Sequence, residues 1–149
     1  MAGSGSNMVL DKGFLVLSTY NSSATAGVTA FRCVKVDTVT GIIDLNATAT
    51  QISIGVVQEN IDAAKVATGK AVADVRMMGI TKLRVSDTPG SIVIGSRVAP
   101  SGTGANAGGV KLAVTTNAVI GICVGLTGTV AAGDLIDVLL TPGGVAVLT

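Results

Sequence analysis

Gly69-Lys70-Ala71-Val72-Ala73-Asp74-Val75 and Gly133-Asp134-Leu135-Ile136-Asp137-Val138 decide how this chain is read. Each opens on a glycine and closes on Asp-Val. Each is followed by a further glycine, Gly79 or Gly143, and then by an apolar segment, Ile80 to Val85 or Val145 to Leu148. Upstream the likeness continues. Phe31-Arg32-Cys33-Val34 matches Ser96-Arg97-Val98-Ala99, with Arg32 on Arg97. Gly41 to Ala47 matches Gly109 to Val114. Ile52 to Val57 matches Val119 to Cys123, with Gly55 on Gly121. Four blocks recur in order, which describes two pseudo-repeated halves, about 28–85 and 93–149.

The blocks have the grammar of strands. Ile43-Asp-Leu-Asn-Ala and Val110-Lys-Leu-Ala-Val alternate apolar and polar, the mark of a half-buried strand. Ile52–Val57 and Val119–Val124 are short apolar runs suited to burial on both sides. Ala71–Met77 and Leu135–Leu140 read as strands too, and Phe14–Leu17 reads as the start of the first core strand. Between them lie turn residues: Thr38 to Gly41, Asp87 to Gly90, Ser101 to Gly104 and Thr141 to Gly144. Asn60–Ala67 has room for one or two helical turns, and no long amphipathic helix exists. The expectation is an all-β chain: a compact β-sandwich or barrel of two pseudo-repeated halves, with at most one short helix. It forms a single domain over 14–149 behind an N-terminal arm, 1–13. Neither half alone is large enough for a comfortable core.

Composition supports strands and excludes much chemistry. Val, Ile and Thr make up about a third of the 149 residues, and such side chains suit a pleated, half-buried surface. Charged residues are only 13%, against 48% hydrophobic. There is no histidine or tryptophan, Glu59 is the lone glutamate, and Phe14, Tyr20 and Phe31 are all the aromatics. Without histidine there is no Ser-His-Asp or Cys-His nucleophile and no imidazole zinc site. A net charge of +1, with dispersed cations, predicts neither nucleic-acid nor anionic-membrane binding.

Individual motifs fail on context. Gly102-Thr-Gly104-Ala-Asn-Ala107 fits a dinucleotide fingerprint, but a strand rather than a helix should follow it, so it reads as a hairpin tip. Ala67-Thr-Gly69-Lys70 echoes a phosphate loop and lacks its first glycine and its Ser or Thr. Asp37, Asp44, Asp62, Asp74, Asp87, Asp134 and Asp137 sit near turns, without a calcium-loop run and without aromatic sugar platforms. Asp74 and Asp137 take similar places in the repeats, which points to a shared structural role such as bonding backbone N–H groups. Cys33 and Cys123 have no metal spacing and read as small buried apolar residues. Leu112 to Gly133 is uncharged for 22 residues, long enough to span a bilayer, but its threonines, Asn117 and glycines argue for strands. The opening Met1–Asn7 has no signal-peptide pattern, which implies synthesis in a reducing cytoplasm. No catalytic residue, cofactor or metal is expected. Met8-Val9-Leu10, an apolar triplet beyond a flexible Gly/Ser arm, and nearby Phe14 are the candidate partner-binding residues.

Taken in order, Ile54-Gly55-Val56-Val57, Gly69 to Arg76, Gly79, Ile92 to Val98, Val119 to Ile122 and Ala132 to Leu139 resemble the small head-decoration, or capsid cement, proteins of tailed double-stranded DNA bacteriophages. The blocks cover roughly residues 28–141 and form a pattern of β-hairpins. That resemblance implies a structural virion protein, not an enzyme, on the capsid exterior. Made in the bacterial host cytoplasm, it would bind the major capsid protein, cluster as a homotrimer and stabilise the expanded head by bridging coat subunits. The family's extended arm would correspond to Met1–Gly13, which here is short and Gly/Ser-rich. The alternative is another virion β-module, a head-fibre base or tail component that binds host glycans. A hydrolase built on an Asp pair is disfavoured.

Overall fold

The structure is a computed structural model, and it describes residues 14–17, 27–36, 43–67, 73–102 and 106–145. In chain order its elements are β1 (Phe14–Leu17), β2 (Arg32–Val36), β3 (Ile43–Leu45), β4 (Gly55–Val57), α1 (Ala63–Ala67), β5 (Ala73–Arg76), β6 (Gly79–Arg84), β7 (Arg97–Ser101), β8 (Gly109–Leu112), β9 (Ala118–Gly125) and β10 (Leu135–Val145). The fold is nearly all β, as the β-branched composition requires. The one helix among the described residues, α1, is capped by Asp62, whose Oδ1 accepts the Ala64 N–H at 2.6 Å.

Two five-stranded sheets run in the orders β1-β5-β4-β2-β3 and β6-β10-β9-β7-β8. These are one order written twice, each strand matching the one five places later, and every pairing within the sheets is antiparallel. The sheets divide the chain between Arg76 and Gly79. Ile80–Val85, expected to close the first half of 28–85, therefore opens the second sheet, and Phe14–Leu17 opens the first. Block matching cannot see this, because a repeat read cyclically gives the same likenesses from any starting strand. Thr141–Gly144, expected as a turn, is an irregularity within β10, whose register to β9 shifts between Leu140 and Gly144.

The matching glycines mark the same place in both sheets. Gly55 opposes Val34 on β2, and Gly121 opposes Val98 on β7. A Cβ on Gly55 would stand 2.7 Å from Val75 Cγ1, and one on Gly121 would stand 2.6 Å from Val138 Cγ1. The next strand crosses too closely for any side chain. This frame puts Asp74 on Asp137, as the sequence reading has it, but moves the arginine match. Arg97 pairs with Ile122, one residue past Gly121, while Arg32 pairs with Val57, two past Gly55. Arg97 therefore corresponds to Cys33. A one-residue slip reverses which face a side chain takes, and Arg32 is 6% exposed where Arg97 lies open.

Side chains alternate between two faces of each sheet. On the first, Val34, Val57, Val75, Ala73 and Ile43 form one core, closed by Val28 and Ile61 and flanked by Leu45, Ile54 and Met77. Cys33 and Val56 oppose each other and point the other way. They join the second sheet's core of Leu83, Val98, Val110, Cys123, Ile136 and Val138. The back of the first sheet thus lies against the front of the second. Backbone bonds tie the junction: Arg84 N–H to the Phe31 carbonyl at 3.0 Å, and Cys33 N–H to the Gly108 carbonyl at 2.7 Å.

Two outcomes follow from this geometry. Gly55→Ala and Gly121→Ala should each lose about 3 kcal/mol, since overpacking against backbone has no easy relief; urea unfolding of the pair will show matched losses if the two sites are equivalent. Thr116, exposed in the turn closed by Asn117 N–H to the Val114 carbonyl, has a φ of 76°. Thr116→Asn should gain about 1 kcal/mol by relieving a β-branched residue of the left-handed region, read as a raised Tm.

Candidate functional site

The outer face of the second sheet carries exposed apolar surface. Arg97 opposes Ile122, Ile122 opposes Leu139, and Leu139 opposes Ile80, so these four stand in a row across β7, β9, β10 and β6. Ile80 is 56% exposed and Leu139 39%. Val124 and Leu135, also exposed, extend the row on the same face. The corresponding face of the first sheet carries Cys33, Val56 and Arg76, and there the second sheet covers Cys33 and Val56 completely. Contiguous exposed aliphatic surface on a sheet is characteristic of an interaction site.

Charge on this face is sparse and mostly positive. Lys82 opposes Asp137 and their side chains pair at 3.0 Å. Both are about half exposed, so the pair contributes under ~1 kcal/mol. Arg84 sends Nη1 to the Gly133 carbonyl at 3.0 Å, and Arg76 sends Nη1 to the Ile80 carbonyl at 2.6 Å.

A second apolar feature is a tight turn that links to the same sheet. Ser96 N–H bonds the Val93 carbonyl at 2.9 Å, and Val93 N–H bonds Ser96 Oγ at 3.0 Å. Gly95 takes the third position with a φ of 89°, which a side chain would strain. Gly95 N–H to the Cys123 carbonyl and Cys123 N–H to the Ser96 carbonyl, both 2.8 Å, fasten the turn to β9. Val93 and Ile94, 61% and 64% exposed, are held out at its tip. Only the folded turn shows that these two aliphatics face outward while Ile92 is buried; in sequence the three are indistinguishable.

Five of the candidate carboxylates are spent on structure, Asp62 as the helix cap and four more as follows. Asp87 accepts from Asn106 Nδ2, Asp134 Oδ2 accepts the Ala131 N–H at 2.8 Å, and Asp44 Oδ1 accepts the Leu45 N–H at 2.8 Å. Asp137 bonds Lys82 rather than the backbone N–H expected for it, because its strand position points the carboxylate across to β6. Among the described residues no three His, Cys, Asp or Glu gather as a metal site. The Gly102–Ala107 stretch lies between β7 and β8, an antiparallel hairpin, so no helix follows to face a pyrophosphate. Among the described residues, no helix is long and apolar enough to cross a membrane, and Leu112–Gly133 runs through β9 and turns. Met8, Val9 and Leu10, the arm 1–13, Asp37 and most of the Ala67–Lys70 stretch lie outside the described residues. Phe14 is the first residue of β1 and opposes Arg76.

Both cysteines are free thiols buried in the second sheet's core. Burial pushes the Cys33 thiol up to about 12, against opposing effects of Ser53 and Arg32. Burial raises Cys123 as well. A buried thiol held protonated is an inert packing group.

No protein-family model matches the chain, and no curated protein matches it. Among solved structures, it is similar to the head fibre gp8.5 N base of bacteriophage phi29, with a TM-score of 0.57 and 15% identity, covering 86% of this chain and 94% of that one. It is also similar to a chain from the capsid of Myoviridae phage XM1, with a TM-score of 0.58 and 18% identity, covering 85% of this chain and 81% of that one. The two-sheet fold is one that phage head proteins use.

The Cys33 thiol gives a pH test. The unfolded thiol ionises near ~8.5 and the folded one only near about 12. Below the unfolded value both states hold the proton and the contribution is constant. Between the two values only the unfolded state loses it, so stability should fall by about 1.4 kcal/mol per pH unit from this group. Cys33→Ala should flatten that slope in denaturant titrations.

Proposed function

We propose that this chain is a structural protein of a bacteriophage virion, carried on the capsid exterior, that binds the major capsid protein as a homotrimer and stabilises the expanded head by bridging coat subunits. The observation that carries this reading is the shared fold with a phage head fibre base and a phage capsid chain over most of this chain's length. The open aliphatic face and the Val93-Ile94 tip support it, since a protomer of an assembly has a use for surface that a lone monomer must hide. Met8, Val9, Leu10 and Phe14 belong to this proposal as residues that contact the coat. The role needs no catalysis and no cofactor. A protein that binds only the mature lattice stabilises it by mass action, and many copies of a modest interface act together.

The likeness to the phi29 fibre base supports a second reading, in which the chain roots a head fibre or tail component that binds host glycans. Copy number separates the two. Quantifying this chain against the major coat protein in purified particles should give near-stoichiometric amounts. A handful per particle would move the role to a fibre base, and none would sink the virion reading.

A further inference from the structure

Strand β6 is the outermost strand of the second sheet, and its backbone is partly unpaired. In an antiparallel ladder the N–H and C=O of alternate residues point away from the partner strand. Arg84 N–H bonds outward to Phe31, which fixes the phase: Ile80, Lys82 and Arg84 face away from β10, while Gly79, Thr81 and Leu83 face it. The Ile80 carbonyl is taken by Arg76. The N–H groups of Ile80 and Lys82 have no partner among the described residues, and the Lys82 carbonyl has only the neighbouring Thr81 hydroxyl at 3.5 Å. Both side chains are exposed. An edge of this kind is a template for another strand unless something blocks it.

We infer that the β6 edge at Ile80–Lys82 receives an extended segment of another polypeptide, one that carries acidic side chains and adds a strand to the second sheet. Charge selects that occupant. Lys82 and Arg84 stand on this strand and Arg76 bonds its Ile80 carbonyl, while on the β10 side Lys82 pairs with Asp137 and Arg84 bonds the Gly133 carbonyl, which leaves the edge with an excess of cations among the described residues. Two such edges laid together would oppose cations with cations, which disfavours a second copy of this chain in that place. An acidic partner strand would meet Lys82 and Arg76 while its aliphatic side chains pack beside Ile80 and Leu139 on the open face. The inference rests on the virion reading, which supplies a neighbouring polypeptide at high local concentration.

Proline tests it, because Lys82 contributes no N–H to the intramolecular ladder and an edge position with an outward N–H tolerates proline. Purified particles stripped of this protein are titrated with the full chain. Lys82→Arg should bind as the natural protein does. Lys82→Thr, which loses the charge and its pair with Asp137 but keeps the backbone donor, should bind more weakly. Lys82→Pro should bind at least about tenfold more weakly than Lys82→Thr, because it also loses the donor. Equal binding by Lys82→Pro and Lys82→Thr overturns the inference and leaves the virion reading intact. No binding by the natural chain overturns both. A dimer without particles that Lys82→Pro abolishes would assign the edge to a second copy and overturn the acidic partner. If Lys82→Pro does not fold, amide exchange on the natural protein decides: Ile80 and Lys82 should slow by at least about tenfold on particle binding, and unchanged exchange overturns the inference.

Discussion

The molecule depends on one contact: the back of the first sheet lying on the front of the second, through Cys33 and Val56. Both residues are fully buried there, in a core whose other buried members all come from the second half. Strip that contact away and the second sheet loses the cover over Leu83, Val98 and Val138. The first sheet keeps a smaller core of its own beneath Val28 and Ile61. Burial of a dozen aliphatic side chains at about 25 cal/mol per Å² is the dominant favourable term here, since charged residues are few and the Lys82–Asp137 pair is half in water.

Stacking back to front has a geometric consequence that face-to-face stacking would not. Two sheets packed front to front would hide equivalent surfaces and leave equivalent backs. Here the pair hides one back and leaves the other open, so the two halves share a topology and differ in environment. Cys33 is fully buried and its counterpart Arg97 is exposed, and Val56 is fully buried while Ile122 is only partly so. The open back, its exposed β6 edge and the Val93-Ile94 turn lie on the second half, which is where an assembly contact has material to work with.

The same packing explains the absence of a reactive constellation among the described residues. Each described carboxylate with a bond given above serves a turn, a cap or a cross-strand pair, and the thiols are sealed in a core that keeps them protonated. The proposed role in an assembly calls for shape held firmly. The positive φ at Gly95 and the paired bonds to Cys123 hold an apolar tip with little freedom to lose on contact.

Local chemistry in the sequence was enough for the strands, the turn at Asp87–Gly90, the helical turn near Asp62, the doubled pattern and the equivalence of Gly55 with Gly121. These depend on neighbours along the chain or on a glycine that nothing else can replace. The arginine register, the cyclic starting point of the repeat and the bulge at Thr141–Gly144 were not legible, because a one-residue slip or a shift of one strand leaves the pattern of residue types almost unchanged. The surface was less legible still. Ile80, Leu139 and Val124 read as core residues in sequence, and only tertiary structure decided that they face outward. Hydrophobic alternation tells which side chains share a face, but which face finds a partner depends on how the two sheets are stacked.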